Sequence, residues 1–597
     1  MVRASFVFGL ALLIPLGAGC PAFAEFRPGE HSQKGEEAAA ECDRLAASPF
    51  DEERKSAGVE FDRIDVSRAI PACTEAVNAG DLPAMTHLAR AFLKKGDYPE
   101  AFRWSEKSAE NGNAVAMTNL ASLYASGRGV PQDYAKAREL WEKAASKGNT
   151  LAMANLGKLY RDGEGVTQDH AKARDWFEKA AAKGNAQAMT AVGVIHFYGR
   201  GVPRDYAKAR DWYEKAAAKG EAMSMANLGV LYFHGYGVAQ DYTKARDWTE
   251  KAAARGDALA MARLGAYYDQ GYGVTQDYAK ARDWFEKAAA KDNVTAMAAL
   301  GALYREGKGV TQDYAKARDW FEKAAGKGFA PAMNSLGVLY LNGQGVPQDY
   351  VKARDWFEKA AEKGNVSAMT GLGRIFRDGK GVPQDYAKAR EWYEKAAANG
   401  EGWAMGSLGI LYQQGNGVTQ DYAKAREWFE KAAAKDNTVA MLALGVLYFY
   451  GQGVPQDYAK TREWYEKAAA KDDAMAMTSL GLLYDQGYGV TQDYAKAHDW
   501  YEKAAAKGNG NAMALLGILY RDGHGVPPDF LKAQEWFGKA RALGVMGPPS
   551  VASGGGERWI YRQLGTLPEI GSEVRPAGSV PATAPGHPAT EPGLGQR

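Results

Sequence analysis

The chain has 597 residues, and its 74 Lys plus Arg against 72 Asp plus Glu leave a net charge of +2, without the basic excess of a nucleic-acid binder. A hydrophobic content of 46% with 24% charged residues excludes a wholly disordered chain. Gly is in excess at 69 residues, about 12% where ~7% is usual, and the excess needs a structural cause.

The chain opens Met1-Val2-Arg3, continues with an apolar stretch from Ala4 to Leu16, and places Ala22-Phe23-Ala24 before Glu25. A charged start, a short apolar run and an A-x-A site predict a secretory signal over residues 1–24, removed ahead of Glu25. The run is too short for a membrane span of ~20 residues. No membrane span is expected elsewhere, and the destination is periplasmic or secreted. Cys20 as a lipoprotein cysteine is the competing reading, disfavoured because Gly17 stands where an apolar residue is usual. With the signal removed, Cys42 and Cys73 remain. An isolated even pair in an oxidising compartment is expected to be a disulfide. Residues 25–80 then read as an N-terminal capping module, two helices tied by that bridge over the first repeat's apolar edge.

From residue 81 the chain is periodic. A Gly-Val pair followed two residues later by Gln/Arg/Pro-Asp recurs at Gly129, Gly165, Gly201 and onward to Gly525, each step 36 residues, and Ala-Met pairs keep the same register from Met117 to Met513. Residues 113–544 hold twelve such units, preceded by a shorter copy over 81–112 without the glycine loop. In the unit Asn185–Gly220, Met189, Val192, Gly193, Ile195 and His196 fall on one arc of a helix at ~100° per residue, predicting an amphipathic first helix. Gly193 recurs in register and would admit a close helix neighbour; Gly199 and Gly201 end the helix and turn the chain; Asp205 caps the next. Tyr206, Ala209, Trp212, Tyr213, Ala216 and Ala217 are the expected buried side of the second helix. Arg210 with Glu214 and Asp211 with Lys215 are surface pairs at i, i+4. Such hairpins cannot bury both faces alone, so they must stack into an all-α solenoid. Residues 545–597 are Pro/Gly-rich and expected to be largely disordered, with one less polar stretch, RWIYRQL, from Arg558.

The unit AMxxLGxLYxxGxGVxQDYxKAxxWxxKAAxxG resembles the Sel-1-like repeat family, a relative of tetratricopeptide repeats, over about three quarters of the chain. That resemblance implies a right-handed α/α superhelix of about 13 helix-loop-helix repeats. It also implies a non-catalytic scaffold for protein partners, in bacteria often in the envelope. One secreted branch of the family is linked to β-lactam binding and carries a disulfide in each repeat. The repeats here contain no cysteine, which leaves a β-lactamase-like hydrolase as the weakest reading.

Motifs of catalysis are missing: there is no H-E-x-x-H, no paired C-x-x-C, no G-x-x-x-x-G-K-[ST] and no G-x-S-x-G. His170, His196 and His498 replace Tyr, Tyr and Arg of sibling units, so no metal site and no cofactor is expected, and the chain is read as not an enzyme. Partner contacts are sought where copies differ. Five residues after the methionine, Val194, Val230, Val338, Ile410, Val446, Leu482 and Ile518 form an apolar stripe that either packs on the next unit or floors a groove. Eight and nine residues after it stand Phe197 with Tyr198, Phe233 with His234, and Phe449 with Tyr450; the loops add Tyr236, Tyr272 and Tyr488. Other copies hold Arg161-Asp162 or Gln413-Gln414 there, so the aromatics are candidate exposed contacts for a protein partner or, alternatively, for envelope polysaccharide such as peptidoglycan.

Overall fold

In the computed structural model, which describes residues 33–49 and 54–545, the backbone is all-helical. The signal expected over residues 1–24, Cys20 within it, and the tail beyond Val545 lie outside the described residues. The chain divides after Glu221 into two units. The first runs from a helix pair, Gln33–Ala46 and Val66–Asn78 with a 3-10 turn at Phe61–Arg63 between them, through the short copy Leu82–Lys95 and Tyr98–Glu110 to the hairpins ending at Tyr206–Ala218. In the second, nine hairpins run from Ala222–His234 and Tyr242–Ala254 to Gly510–Asp522 and Phe530–Ala542.

Within a hairpin the two helices are held by a ring seated on a glycine. A Cβ on Gly301 would stand 2.6 Å from the ring of Phe321 in the same repeat, so any side chain there would push the second helix away. Phe321 is fully buried for that reason, as are Phe357, Phe429 and Tyr501 in the same register. One copy solves the problem differently: Thr249 stands where the ring should be, and Tyr267, from the next repeat's first helix, is buried beside it.

Between hairpins of the same unit, the second helix of one repeat packs against the first helix of the next. The second loop glycine completes this contact. Gly309 has φ +66°, a left-handed conformation that glycine adopts without strain, and its missing Cβ leaves room 2.6 Å from Tyr278 Cβ of the preceding repeat. Asp205 accepts a hydrogen bond from the Lys208 backbone N–H at 3.0 Å, the expected N-cap, and that bond holds its carboxyl below the usual carboxylate range.

Two expectations need correction. The first helices are buried almost all round, Met189 to Phe197 included except Ala191, because a second helix flanks them on each side. Val194, Val230, Val338, Ile410, Val446 and Leu482 are therefore core, Ile518 alone being half-buried, and of the two readings open for the stripe the packing one holds. The second correction concerns the tryptophans. Trp212 and Trp284 lie at the rim, half-buried, with Lys215 Nζ 4.5 Å over the Trp212 ring and Lys287 Nζ 4.2 Å over that of Trp284. One residue is ~100° of helix, and it is the following ring, Tyr213 or Phe285, that points inward.

At the N-terminal end Cys42 and Cys73 are bonded, with Cα atoms 4.6 Å apart. Arg90, buried in the short copy, donates to the carbonyl oxygens of Ala46 (3.0 Å), Ala47 (2.8 Å) and Val59 (2.6 Å). Ala46 and Ala47 stand at the end of Gln33–Ala46, where no intrahelical donor is left, and Val59, whose own N–H donates to the Ala47 oxygen at 2.8 Å, belongs to the segment that returns beside it. Arginine thus fastens the cap to the array.

Candidate functional site

Except where Arg204 and Pro528 replace the loop glutamine, the first helices of the full repeats end at a position whose backbone is fixed and whose side chain is free to differ. The fixing is done by the loop glutamine: Gln240 Nε2 donates to the Phe233 carbonyl oxygen at 2.8 Å, Gln312 to that of Arg305 at 2.8 Å, and Gln456 to that of Phe449 at 2.8 Å. Because the bond uses only the backbone oxygen, the helix end keeps its shape whether the residue is Phe, Arg or Asp.

The aromatic copies are not exposed patches of phenylalanine. Phe197, Phe233 and Phe449 are 5%, 7% and 4% exposed, which corrects the expectation that they face a partner. Each is wedged against the Tyr that starts its own second helix, Phe197 on Tyr206 at 5.1 Å, Phe233 on Tyr242 at 5.0 Å, Phe449 on Tyr458 at 5.3 Å between centroids. Their neighbours form the outer layer. Tyr198 packs edge-on to Phe197 at 5.1 Å, and Tyr450, 40% exposed, does so on Phe449 at 4.9 Å. His234 contacts Phe233 edge-on and stacks on Tyr236 at 4.9 Å. Tyr272 meets Phe233 edge-on at 5.2 Å, and Tyr488 meets Phe449 in the same way at 5.3 Å. His234, Tyr236, Tyr272 and Tyr488 are half-buried.

In the second unit the polar copies follow the aromatic ones in a fixed order that sequence reasoning missed. Phe233, Asp269 and Arg305 occupy this position in three successive repeats, and Phe449, Asp485 and Arg521 repeat the series six repeats later. Asp485 is buried, accepts from the Tyr501 hydroxyl at 3.3 Å, and burial pushes its carboxyl up. Asp269 is half-buried and likewise raised by burial, with Gln270 donating to it. Arg305 and Arg521 pair with the adjacent Glu306 (2.6 Å) and Asp522 (2.7 Å). The copies could have been compared at this one offset to find the series.

Among the described residues one group could bring ligand atoms together, His498, Asp499 and Glu502, within 4.8 Å of one another. Sibling repeats place an arginine at His498 and pair it with the same glutamate, Arg462 with Glu466 at 3.4 Å for instance. His498 lies 3.7 Å from Glu502 and 3.1 Å from the Tyr520 hydroxyl, so it fills the arginine's place. His196 is buried, and burial lowers its pKa, as suits a neutral core imidazole.

The Sel1 repeat family model matches thirteen consecutive segments, from residues 83–113 and 114–149 to 474–509 and 510–545. The chain is a Sel1-repeat protein. The crystal structure of c5321, a protective antigen present in uropathogenic Escherichia coli strains and displaying an SLR fold, is 33% identical, covering 76% of this chain and 99% of that one, with a TM-score of 0.55. A Sel1 repeat protein from Oxalobacter formigenes is also 33% identical over 41% of this chain and 99% of its own, with a TM-score of 0.39. No curated protein matches the chain. Sel1-repeat solenoids are typically protein-interaction scaffolds, and among the described residues no helix is long and apolar enough to cross a membrane.

Proposed function

We propose that this Sel1-repeat chain is a non-catalytic scaffold of the bacterial cell envelope or secreted space that holds a protein partner on the row of first-helix ends. The observation that carries the reading is the two-layer aromatic site, half-buried or exposed tyrosines braced by a buried phenylalanine. Rings already fixed in place lose little entropy on binding, and clustered tyrosines are frequent interface hot spots. Six repeats apart, Tyr236 with Tyr272 and Tyr450 with Tyr488 offer the same kind of contact twice. The Cys42–Cys73 bridge supports an oxidising compartment.

The test replaces the outer layer and keeps the inner one. Tyr450→Ala with Tyr488→Ala, made in the full chain, is expected to fold with unchanged helicity, since Phe449 stays seated. Binding of a protein captured by wild type from envelope extract should weaken by about thirtyfold or more, the equivalent of ~2 kcal/mol. A partner that binds the double variant as tightly as wild type places the contact elsewhere. Retention on purified peptidoglycan, lost in the same variant, favours polysaccharide instead.

A further inference from the structure

The last repeat leaves open a face that its siblings cover. Tyr494, which starts the preceding second helix, is half-buried under the next loop, where a Cβ on Gly525 would stand 2.8 Å from Tyr494 Cβ, and Tyr501 is fully buried. In the last second helix the same register holds Phe530, 70% exposed, and Phe537, half-buried. Gln534 and Arg541 complete a stripe at i, i+4, i+7 and i+11, which falls within about 60° of the helix circumference. Arg541 stands where Ala469 and Ala505 are buried in sibling repeats. The face is thus apolar at one end and cationic at the other.

We propose that residues 558–574 of this chain's own tail dock on that face as a fourteenth, degenerate first helix. Leu564-Gly565-Thr566-Leu567, followed by Gly571 and Val574, has the spacing of Leu516-Gly517-Ile518-Leu519, Gly523 and Val526, a first helix with its loop. It comes 48 residues later instead of 36, the extra twelve being MGPPSVASGGGE from Met546 to Glu557. Ile560, Leu564 and Leu567 lie at i, i+4 and i+7, one apolar face of a helix that Pro568 must end. Glu569 and Glu573 supply charge opposite to Arg541. A Gly/Pro/Ser spacer of twelve residues reaches roughly 20 Å, and so short a tether gives an effective concentration in the millimolar range. A second copy is the competing occupant. At micromolar protein it is outcompeted by the tether, and the stripe of a second copy, Phe530, Gln534, Phe537 and Arg541, would offer Arg541 no carboxylate.

The experiment uses the full chain with Cys20→Ser, to leave only the bonded pair, and adds Gln534→Cys with Gln563→Cys for a short bis-maleimide. The expected product is a cross-link within one chain, unchanged in yield on dilution and about tenfold above a control pair, Gln534→Cys with Ala584→Cys, whose tail cysteine lies outside the docking segment. Ile560→Asp with Leu564→Asp should bring the yield down to the control, and these tail changes leave the repeats untouched. Equal yields for the two pairs would overturn the docking, as would a chain-to-chain product that grows with concentration and hands the face to a second copy.

Discussion

The two ends of the repeat array meet one problem with different chemistry. A solenoid repeat buries its faces only against neighbours, so each terminus presents a surface evolved for contact. At the N-terminal end a module unlike the repeats closes it: Cys42 and Cys73 join Gln33–Ala46 to Val66–Asn78, Ile64 and Cys73 are buried with Leu88, and Arg90 takes three carbonyls that no helix satisfies. At the C-terminal end the repeat itself is altered. Phe530 replaces Tyr, Arg541 replaces a buried Ala, and the rings of that helix keep more water contact than any sibling pair. A covalent, polar-sealed terminus and a half-open one teach that the repeat fixes the interior alone, while each end is specified by residues that break the repeat.

The largest effect should come from comparing an interior ring with its terminal equivalent. Phe285→Ala removes a buried ring seated on Gly265 and should cost about 3–5 kcal/mol. Phe537→Ala, at the same register on Gly517 but half-buried, should cost distinctly less. Urea melts with hydrogen exchange on the affected repeats read both. Equal costs would mean that the open end is closed in solution to the depth of an interior repeat. Trp284→Ala, at the rim, should fall below Phe285→Ala, losing packing and the contact with Lys287.

Breaking the sealed end comes next. Cys42→Ser with Cys73→Ser is expected to cost about 2–5 kcal/mol, concentrated in residues 33–110. Arg90→Met, which keeps length and removes the donors, should cost about 1–3 kcal/mol and speed exchange in the same residues. Melting of the last repeats should not respond to either change, because solenoid repeats are coupled through nearest neighbours. Uniform destabilisation of every repeat would show that the array melts as one body.

Much of this was legible in the residues, and the failures have identifiable physics. The 36-residue period, the helix pair, the caps at Asp205 and its equivalents and the seat at Gly301 all follow from local rules that the twelve full copies repeat, the glycine seat in eleven of them, so many copies vote on one answer. What local rules cannot give is which of two adjacent rings faces in, since Trp284 and Phe285 are both apolar and only the hairpin's packing selects between them. Phe233 misled for a related reason. Its polar replacements in sibling copies suggested exposure, yet Arg305 and Asp485 at the same offset are buried as well and are accommodated by pairing. Two signals were present and unused. Arg90 sits five residues after Met85, where the other copies carry small or apolar residues in most units, and Tyr267 replaces a leucine in the repeat that follows the one lacking its ring at Thr249.

The smallest effect compares two carboxylates of the site, half-buried Asp269 in the second hairpin of the second unit and buried Asp485 in the last hairpin but one. Burial raises the pKa of both Asp269 and Asp485. A carboxyl raised in the folded state favours the fold fully only below its unfolded value, ~3.9, and that contribution is lost as pH rises through the raised value. At neutral pH the unfolded chain carries an ionised Asp485, and folding moves that carboxyl into a place that disfavours the charge. Asp485→Asn removes the charge while its amide oxygen can still accept from the Tyr501 hydroxyl, so it should raise Tm at pH 7 by about a degree or two, a gain that vanishes as pH falls below ~4. Asp269→Asn should gain less, because Asp269 keeps more water and has the cationic Lys308 nearby. Thermal melts of both variants at pH 4 and pH 7 decide the matter. A loss of stability at neutral pH in Asp485→Asn would mean that the ionised carboxylate is held by a stronger partner than the tyrosine, and would reverse the ranking of the two sites.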